Sequence, residues 1–406
     1  MASLAQQRDT VRELARRLAE LAGSEEYERR RRRWRDVNGL RKPDRAPVWC
    51  RPAGCWPELL PDEALQCEDP YLRALERRLR MDLIKDDIGD DHLVEAWWDV
   101  PAAFDCDSEH TWGLRTQVLV DRTDLGGWRY EPPLKTPEDF ERVTIPTFTY
   151  NPARTEEALS RAHDVLGDIL PVRRTCGNHL HHTLGAYVDQ LRSLADMMLD
   201  LYVQPHLIHR LMAKLLEGCL RDLRTVEASG LLTPNNFGGM HCSDPINGDP
   251  PPGQVRLHNL WCDANSQEFD EVSPRQWEEF LLSYQMPIFQ QFGLVHYGCC
   301  EDLTTKIEGI LRIPNLRIFV CSAWTDLEKV IAACGPRYCI MWRQSAAEVT
   351  LPDTLEKMEQ HLDDGLTKLQ GCHYQVVLRE LQTLAGHPRR LHEWAELAKR
   401  KAEQWA

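Results

Sequence analysis

The segment His296-Tyr297-Gly298-Cys299-Cys300-Glu301 gathers imidazole, thiol and carboxyl groups into six consecutive residues. Imidazole and thiolate are preferred ligands of zinc, and a glycine among them lets the backbone turn tightly around a bound group. His296, Cys299 and Cys300 are therefore candidate metal ligands, with Glu301 as a ligand or proton shuttle. So short a segment supplies only part of a tetrahedral shell. The remainder has to come from another element, and Glu268 and His241 are the groups that suit, His241 also as a substrate contact. Zinc held this way would lower the pKa of a substrate thiol and keep it as a thiolate nucleophile. The competing account is that Cys299 and Cys300 merely pack at a tight strand end.

Three other clusters carry chemistry. Cys262-Asp263-Ala264-Asn265-Ser266-Gln267-Glu268 is dense in polar groups after an apolar run. Glu268 suits a metal ligand or a catalytic base there, and Gln267 can orient a substrate carboxylate or amide; the plainer alternative is a capping segment for the helix that starts near Ser273. His179, His181 and His182 do not share one helical face, so a closed three-histidine site is not expected. His182, just before Thr183 and Gly185, is the one expected to line a pocket and act in catalysis. In Pro47-Val48-Trp49-Cys50-Arg51-Pro52, Arg51 can clamp a substrate carboxylate, or it is a surface arginine on a Pro/Gly loop. Trp342 and Arg343 follow another apolar run and are expected at the same site, Trp342 against substrate and Arg343 in catalysis.

The elements that must position these groups alternate. Runs at 255–261, 294–297, 316–321, 338–342 and 374–381 read as strands. Amphipathic stretches at 273–289, 303–311, 325–334, 351–370 and 389–404 read as helices. Shorter apolar runs at 46–49, 92–100 and 169–173 add upstream strands. Strand and helix alternating over short links predicts a parallel sheet, and this many units predicts a closed (β/α)8 TIM barrel. Function then belongs at the C-terminal ends of the strands, where the residues above fall. Residues 1–45 are rich in Arg and Glu and read as an N-terminal helical extension to a barrel over 46–406, with the run Arg29–Arg33 as a solvated face.

The formal net charge of −14 argues against nucleic acid as a partner. No run of about 18 apolar residues is present, so no membrane span is expected. The first residues lack an apolar core, so no signal peptide is expected and the chain reads as cytoplasmic. The 14 cysteines are then reduced, mostly small core residues rather than a disulfide framework.

At these same residues the chain resembles the uroporphyrinogen decarboxylase superfamily, from about Ala46 to Trp394. The stretch Pro47 to Gly54 is similar to the early loop of the decarboxylase, although Cys55 stands where that loop has its second arginine. Gln267-Glu268, Val272-Ser273-Pro274, Tyr297 to Glu301 and Pro314-Asn315-Leu316-Arg317 look like a methyltransferase-like branch, related to the zinc-dependent corrinoid methyltransferases. Met341 to Gln344 stands where that branch tends to have serine-tryptophan-lysine-proline. The resemblance places His296 on the family's zinc-binding histidine. Gly298 stands at its first cysteine, Cys299 follows one place later, and Glu380 to Thr383 offers no distant cysteine. It implies methyl transfer between a corrinoid, brought by a partner protein, and a small-molecule substrate, with zinc assistance. The alternatives are a decarboxylase or lyase on a small carboxylated substrate, gripped by Arg51 and Arg343 with a buried acid such as Asp99, and a non-enzymatic binding barrel. A homodimer is also admitted.

Overall fold

Short runs of β-branched, aromatic and cysteine residues set the frame. The computed structural model describes residues 3–120, 128–351 and 355–406. Eight runs in it become strands with parallel neighbours: β1 Val48–Cys50, β2 Trp98–Pro101, β3 Val172–Thr175, β4 Trp261–Ala264, β5 Leu294–Tyr297, β6 Leu316–Cys321, β7 Cys339–Gln344 and β8 His373–Leu378. Six of them form one curled sheet in the order β1-β8-β7-β6-β5-β4, and β2 pairs separately with β3. Two antiparallel hairpins lie outside this frame, Phe104–Cys106 with Phe148–Tyr150 and Gln117–Val120 with Trp128–Glu131.

The closed eight-stranded ladder expected from the sequence is not what forms, and the reasons are local. β1 has three residues, and two of its N–H groups go to carboxylates: Val48 donates to Asp91 Oδ2 at 2.7 Å and Cys50 to Asp90 Oδ2 at 2.8 Å. Those donors are satisfied without a β2 partner. Between β3 and β4 the segment Thr233–Asn236 intervenes. Thr233 exchanges bonds with the backbone of Cys176, and the side-chain amide of Asn235 pairs with both the N–H and the carbonyl of Trp261. Pro234 has no N–H, so this segment bridges the gap partly through side chains.

Both faces of the central strands are buried, as parallel sheets require. Outward residues such as Cys262, Tyr297, Phe319, Ile340 and Val376 pack under the helices. Inward residues Trp261, Ile318, Val320, Cys339, Met341 and Val377 form a second cluster, and Trp34 and Val37 join it. These last two come from α2 Glu25–Asn38, which follows α1 Leu4–Ala22. α1 packs on the helix Pro70–Ile88 and on Trp98 and Val100 of β2. α2 seals the end of the sheet where strands begin. Asn38 donates to the carbonyls of Met240 and Cys242 and accepts from Gln375 Nε2, while Arg317 donates to the Asn38 carbonyl. The Arg29–Arg33 run is thus not uniformly solvated: Arg30 and Arg33 are buried against Asp86 and Asp91. Asp91 also holds Arg45, at 2.6 Å.

The remaining elements shift from expectation in detail. The strand expected over 255–261 is a 3-10 turn at Leu257–Asn259 with β4 beginning at Trp261, because the Arg256 N–H is bonded to the Asn259 side chain. The helix over 273–289 starts at Pro274 on the Ser273 cap and passes through a π turn at Glu278–Leu282. The helix expected over 351–370 is found at Glu356–Lys368; residues 352–354 lie outside the described residues. Among the described residues no helix is long and apolar enough to cross a membrane.

Candidate metal and reaction site

Parallel pairing of β4 and β5 sets Asp263 beside His296. Both fall at the inward position of the pleat, as Trp261 does two residues earlier. The third member arrives from the segment after Asn236, which runs across the inner face. Gly239 lies against Trp49 and Trp34, and the Met240 carbonyl is held by Asn38 and Gln375. Met240 has φ +66°, in the left-handed region that non-glycine residues adopt rarely. That turn aims His241 at the two strand residues, with strain offset by the bonds to α2 and β8.

Three ligand atoms converge. Asp263 Oδ1 lies 2.9 Å from His241 Nε2 and 2.9 Å from His296 Nδ1, and the two nitrogens are 3.2 Å apart. A tetrahedral zinc with bonds of about 2.0 Å would have ligand–ligand edges of about 3.3 Å, so the triangle needs only a small expansion to seat one. His296 Nε2 is buried without a partner. Burial pushes His296 down to about 4, which leaves it neutral, as a ligand must be, despite the pull of Asp263. Burial alone would raise Asp263, but the two imidazoles hold its carboxyl well below the usual range. Asp263 keeps 57% of its side-chain surface accessible, far more than either histidine, so the triad is reached from its carboxylate side. The residues present thus fit a zinc ion by donor type, protonation state and spacing.

Beside this triad lies a cluster of thiols and guanidinium. Gly298, φ +113°, makes the turn out of β5; a Cβ there would meet Leu303 and Val320 at 2.8 and 2.9 Å. The turn brings Cys299 Sγ to 3.5 Å from Cys300 Sγ. Arg343, buried at the end of β7, donates to the Cys299 carbonyl at 3.2 Å and lies 3.6 Å from Glu380. Glu380 also binds Arg51 at 2.5 Å and faces Cys300 Sγ at 3.8 Å. The contact between the two thiols, with Arg343 and Arg379 nearby, favours a single thiolate shared by the pair.

His296, His241, Arg343, Cys299, Cys300 and Arg51 therefore fall on or beside one inner surface. Cys299 and Cys300 do not join the converging ligand group, which among the described residues consists of His241, Asp263 and His296. Other candidates lie elsewhere. Trp342 points outward and packs on Gly365, where a Cβ would lie 2.3 Å from its ring, and beside His361. The alternation of β7 places Arg343 inside and Trp342 under the helices, so it is not a substrate contact. Gln267 is exposed on a 3-10 turn beyond the end of β4. Glu301 accepts at both oxygens, taking the N–H groups of Ser266 and Cys299 and the Ser266 hydroxyl. It braces the loops after β4 and β5. Glu268 is half-buried against Gly185, raised to about 7 chiefly by desolvation, with Oε2 unpartnered; it can carry a proton near neutrality.

His182 lies on the outer side of β4, with Nδ1 3.1 Å from Cys262 Sγ and its ring near Phe292. Burial pushes it down to about 4. A histidine at about 4 in the folded chain and 6.5 unfolded binds fewer protons when folded, so its protonation destabilises the fold as pH falls from 6.5 toward 4. Replacing His182 by Asn should remove roughly 2–3 kcal/mol of the stability lost between pH 7 and 4.5, read from urea midpoints at the two pH values. An unchanged acid sensitivity would mean that His182 titrates normally.

Asp263 and Glu380 are the groups at this site to which sequence reasoning gave no role, although Asp263 stands in the polar cluster after the apolar run. Asp263 was legible only as the alternate residue after Trp261, and Glu380 only as the acid just past β8.

No protein-family model matches the sequence, and no curated protein matches it. Among solved structures, a methyltransferase from Methanosarcina mazei superposes on 91% of this chain and 97% of its own, with a TM-score of 0.51 and 12% identity. The two share a fold. At that identity the likeness reaches the backbone, and nothing about substrate or cofactor passes with it.

Proposed function

We propose that this chain is a methyltransferase of the uroporphyrinogen decarboxylase-like superfamily, moving a methyl group between a corrinoid on a partner protein and a small-molecule substrate. The observation that carries this reading is the convergence of His241, Asp263 and His296 on the inner face of a fold shared with a methyltransferase. Bound there, zinc would supply Lewis acidity and hold a substrate thiol or oxygen in its ionised form. The protein's own groups do the rest. Asp263 holds both imidazoles in place. Arg343 fixes the turn after β5 by holding the Cys299 carbonyl and Glu380. The accessible side of Asp263 leaves room for an open coordination position.

The lyase reading is weaker because its two cations are engaged. Arg51 and Arg343 both face Glu380, so neither waits for a substrate carboxylate.

Metal analysis and a methyl-transfer assay test the proposal together. Purified protein should carry about one zinc per chain. It should demethylate free methylcobalamin when a thiol acceptor is supplied, and chelation should remove both properties. Protein that binds no zinc when zinc is offered and transfers no methyl group would sink the reading.

A further inference from the structure

A second cavity, of about 610 Å³, opens where β1 and β2 fail to pair, between those strands and the helix Pro70–Ile88. Four tryptophans line it, Trp49, Trp56, Trp97 and Trp98, and its walls are mostly apolar. Its size is that of a small-molecule site. Two of its indole N–H groups, those of Trp49 and Trp97, are buried with no protein acceptor. Buried donors left open in an apolar wall favour a ligand that brings oxygen acceptors.

The charges decide the sign of the ligand. The acids of the wall are already paired: Asp82 with His92, Glu95 with Arg31 and Asp99 with Arg173. Three of the four indoles already carry one of the protein's own cations, Arg173 over Trp97 at 3.7 Å, Arg78 over Trp98 at 4.2 Å and Arg51 over Trp49 at 5.6 Å. A cationic ligand would find no free carboxylate and would lie among these like charges. Arg78, at the mouth, stacks on Trp98 and makes no ion pair among the described residues. Stacking leaves the edge of its guanidinium, with its fork of donors, open to a carboxylate.

We infer that this cavity binds a small planar aromatic carboxylate, with its ring among Trp56, Trp97 and Trp98 and its carboxylate on Arg78. The triad residues do not line this cavity, although Arg51 in its wall pairs with Glu380, and Trp49 and Glu95 touch Gly239 and Gly238, just ahead of His241. It stands whether or not the chain transfers methyl groups.

Benzoate is the probe, titrated into the full-length protein and followed by intrinsic tryptophan fluorescence and calorimetry. Saturable binding is expected. The exposed Arg78 can be changed without disturbing the core. Arg78→Ala should weaken benzoate at least tenfold, and Arg78→Lys by less, since it keeps the charge and loses the fork. Affinity for benzoate should fall as salt is raised, whereas any affinity for toluene should not. Non-saturable benzoate binding, unchanged affinity in the Arg78→Ala variant, or tighter binding of tetramethylammonium than of benzoate would each overturn the assignment.

Discussion

Replacing His296 by alanine should lower zinc affinity by more than about 100-fold. Loss of partners that merely orient ligands costs 10–100-fold, and a ligand itself carries more. The geometry says why the loss should not be repaired locally. Asp263 Oδ1 would keep one nitrogen neighbour, His241 Nε2, and two protein ligands hold zinc poorly. The thiols nearest in sequence, Cys299 and Cys300, lie outside the converging group. Competition with a chromophoric chelator reads the affinity directly. Cys299→Ser serves as the control and should leave affinity within a few-fold. If Cys299→Ser removed zinc and His296→Ala did not, the ligand set drawn here would be wrong.

Asp91→Ala should cost about 3–5 kcal/mol, the range seen when one member of a buried charge network is removed. Asp91 is 1% exposed and accepts from Arg33, from Arg45 and from the Val48 N–H. Its loss leaves two buried guanidinium groups short of their partner and a β1 donor with none. The damage should spread from β1 to α2, because Arg33 lies one turn from the residues that seal the sheet. Chemical denaturation gives the magnitude. A loss below 1 kcal/mol would mean that water replaces the carboxylate at no cost, contrary to the burial seen. Asp91→Asn should lose less, since it retains an acceptor for Val48.

Much of the strand–helix order was legible in sequence, because parallel strands buried on both faces are near-continuous apolar runs. β6, β7 and β8 are of this kind. Closure was not legible. It is interrupted where Asp90 and Asp91 take N–H groups of β1 and where Asn235 caps β4, contacts set by tertiary structure rather than by local pattern. His296 and His241 stand out by residue type, but the carboxylate between them does not, since Asp263 looks like one polar residue among several. Trp342 and Arg343 show the limit more sharply. Neighbours in sequence, they face opposite sides of β7, and only the phase of the strand separates a buried packing residue from one at the site. His182, expected to line a pocket, instead meets Cys262 on the outer side of β4, a contact that residue type alone does not reveal.

The contacts between Asn38 and residues 240 and 242 join positions 202 and 204 apart in the chain. Contacts of such separation are slow to form, because a long loop must close before any bond rewards it. During synthesis α2 emerges early, and Trp34 and Val37 stay without their inner-face partners until about half the chain has followed. The residues that bring His241 to Asp263 are thus held by α2 and the later strands together. The site is completed late, and loss of α2 would be felt there, about 200 residues further along the chain.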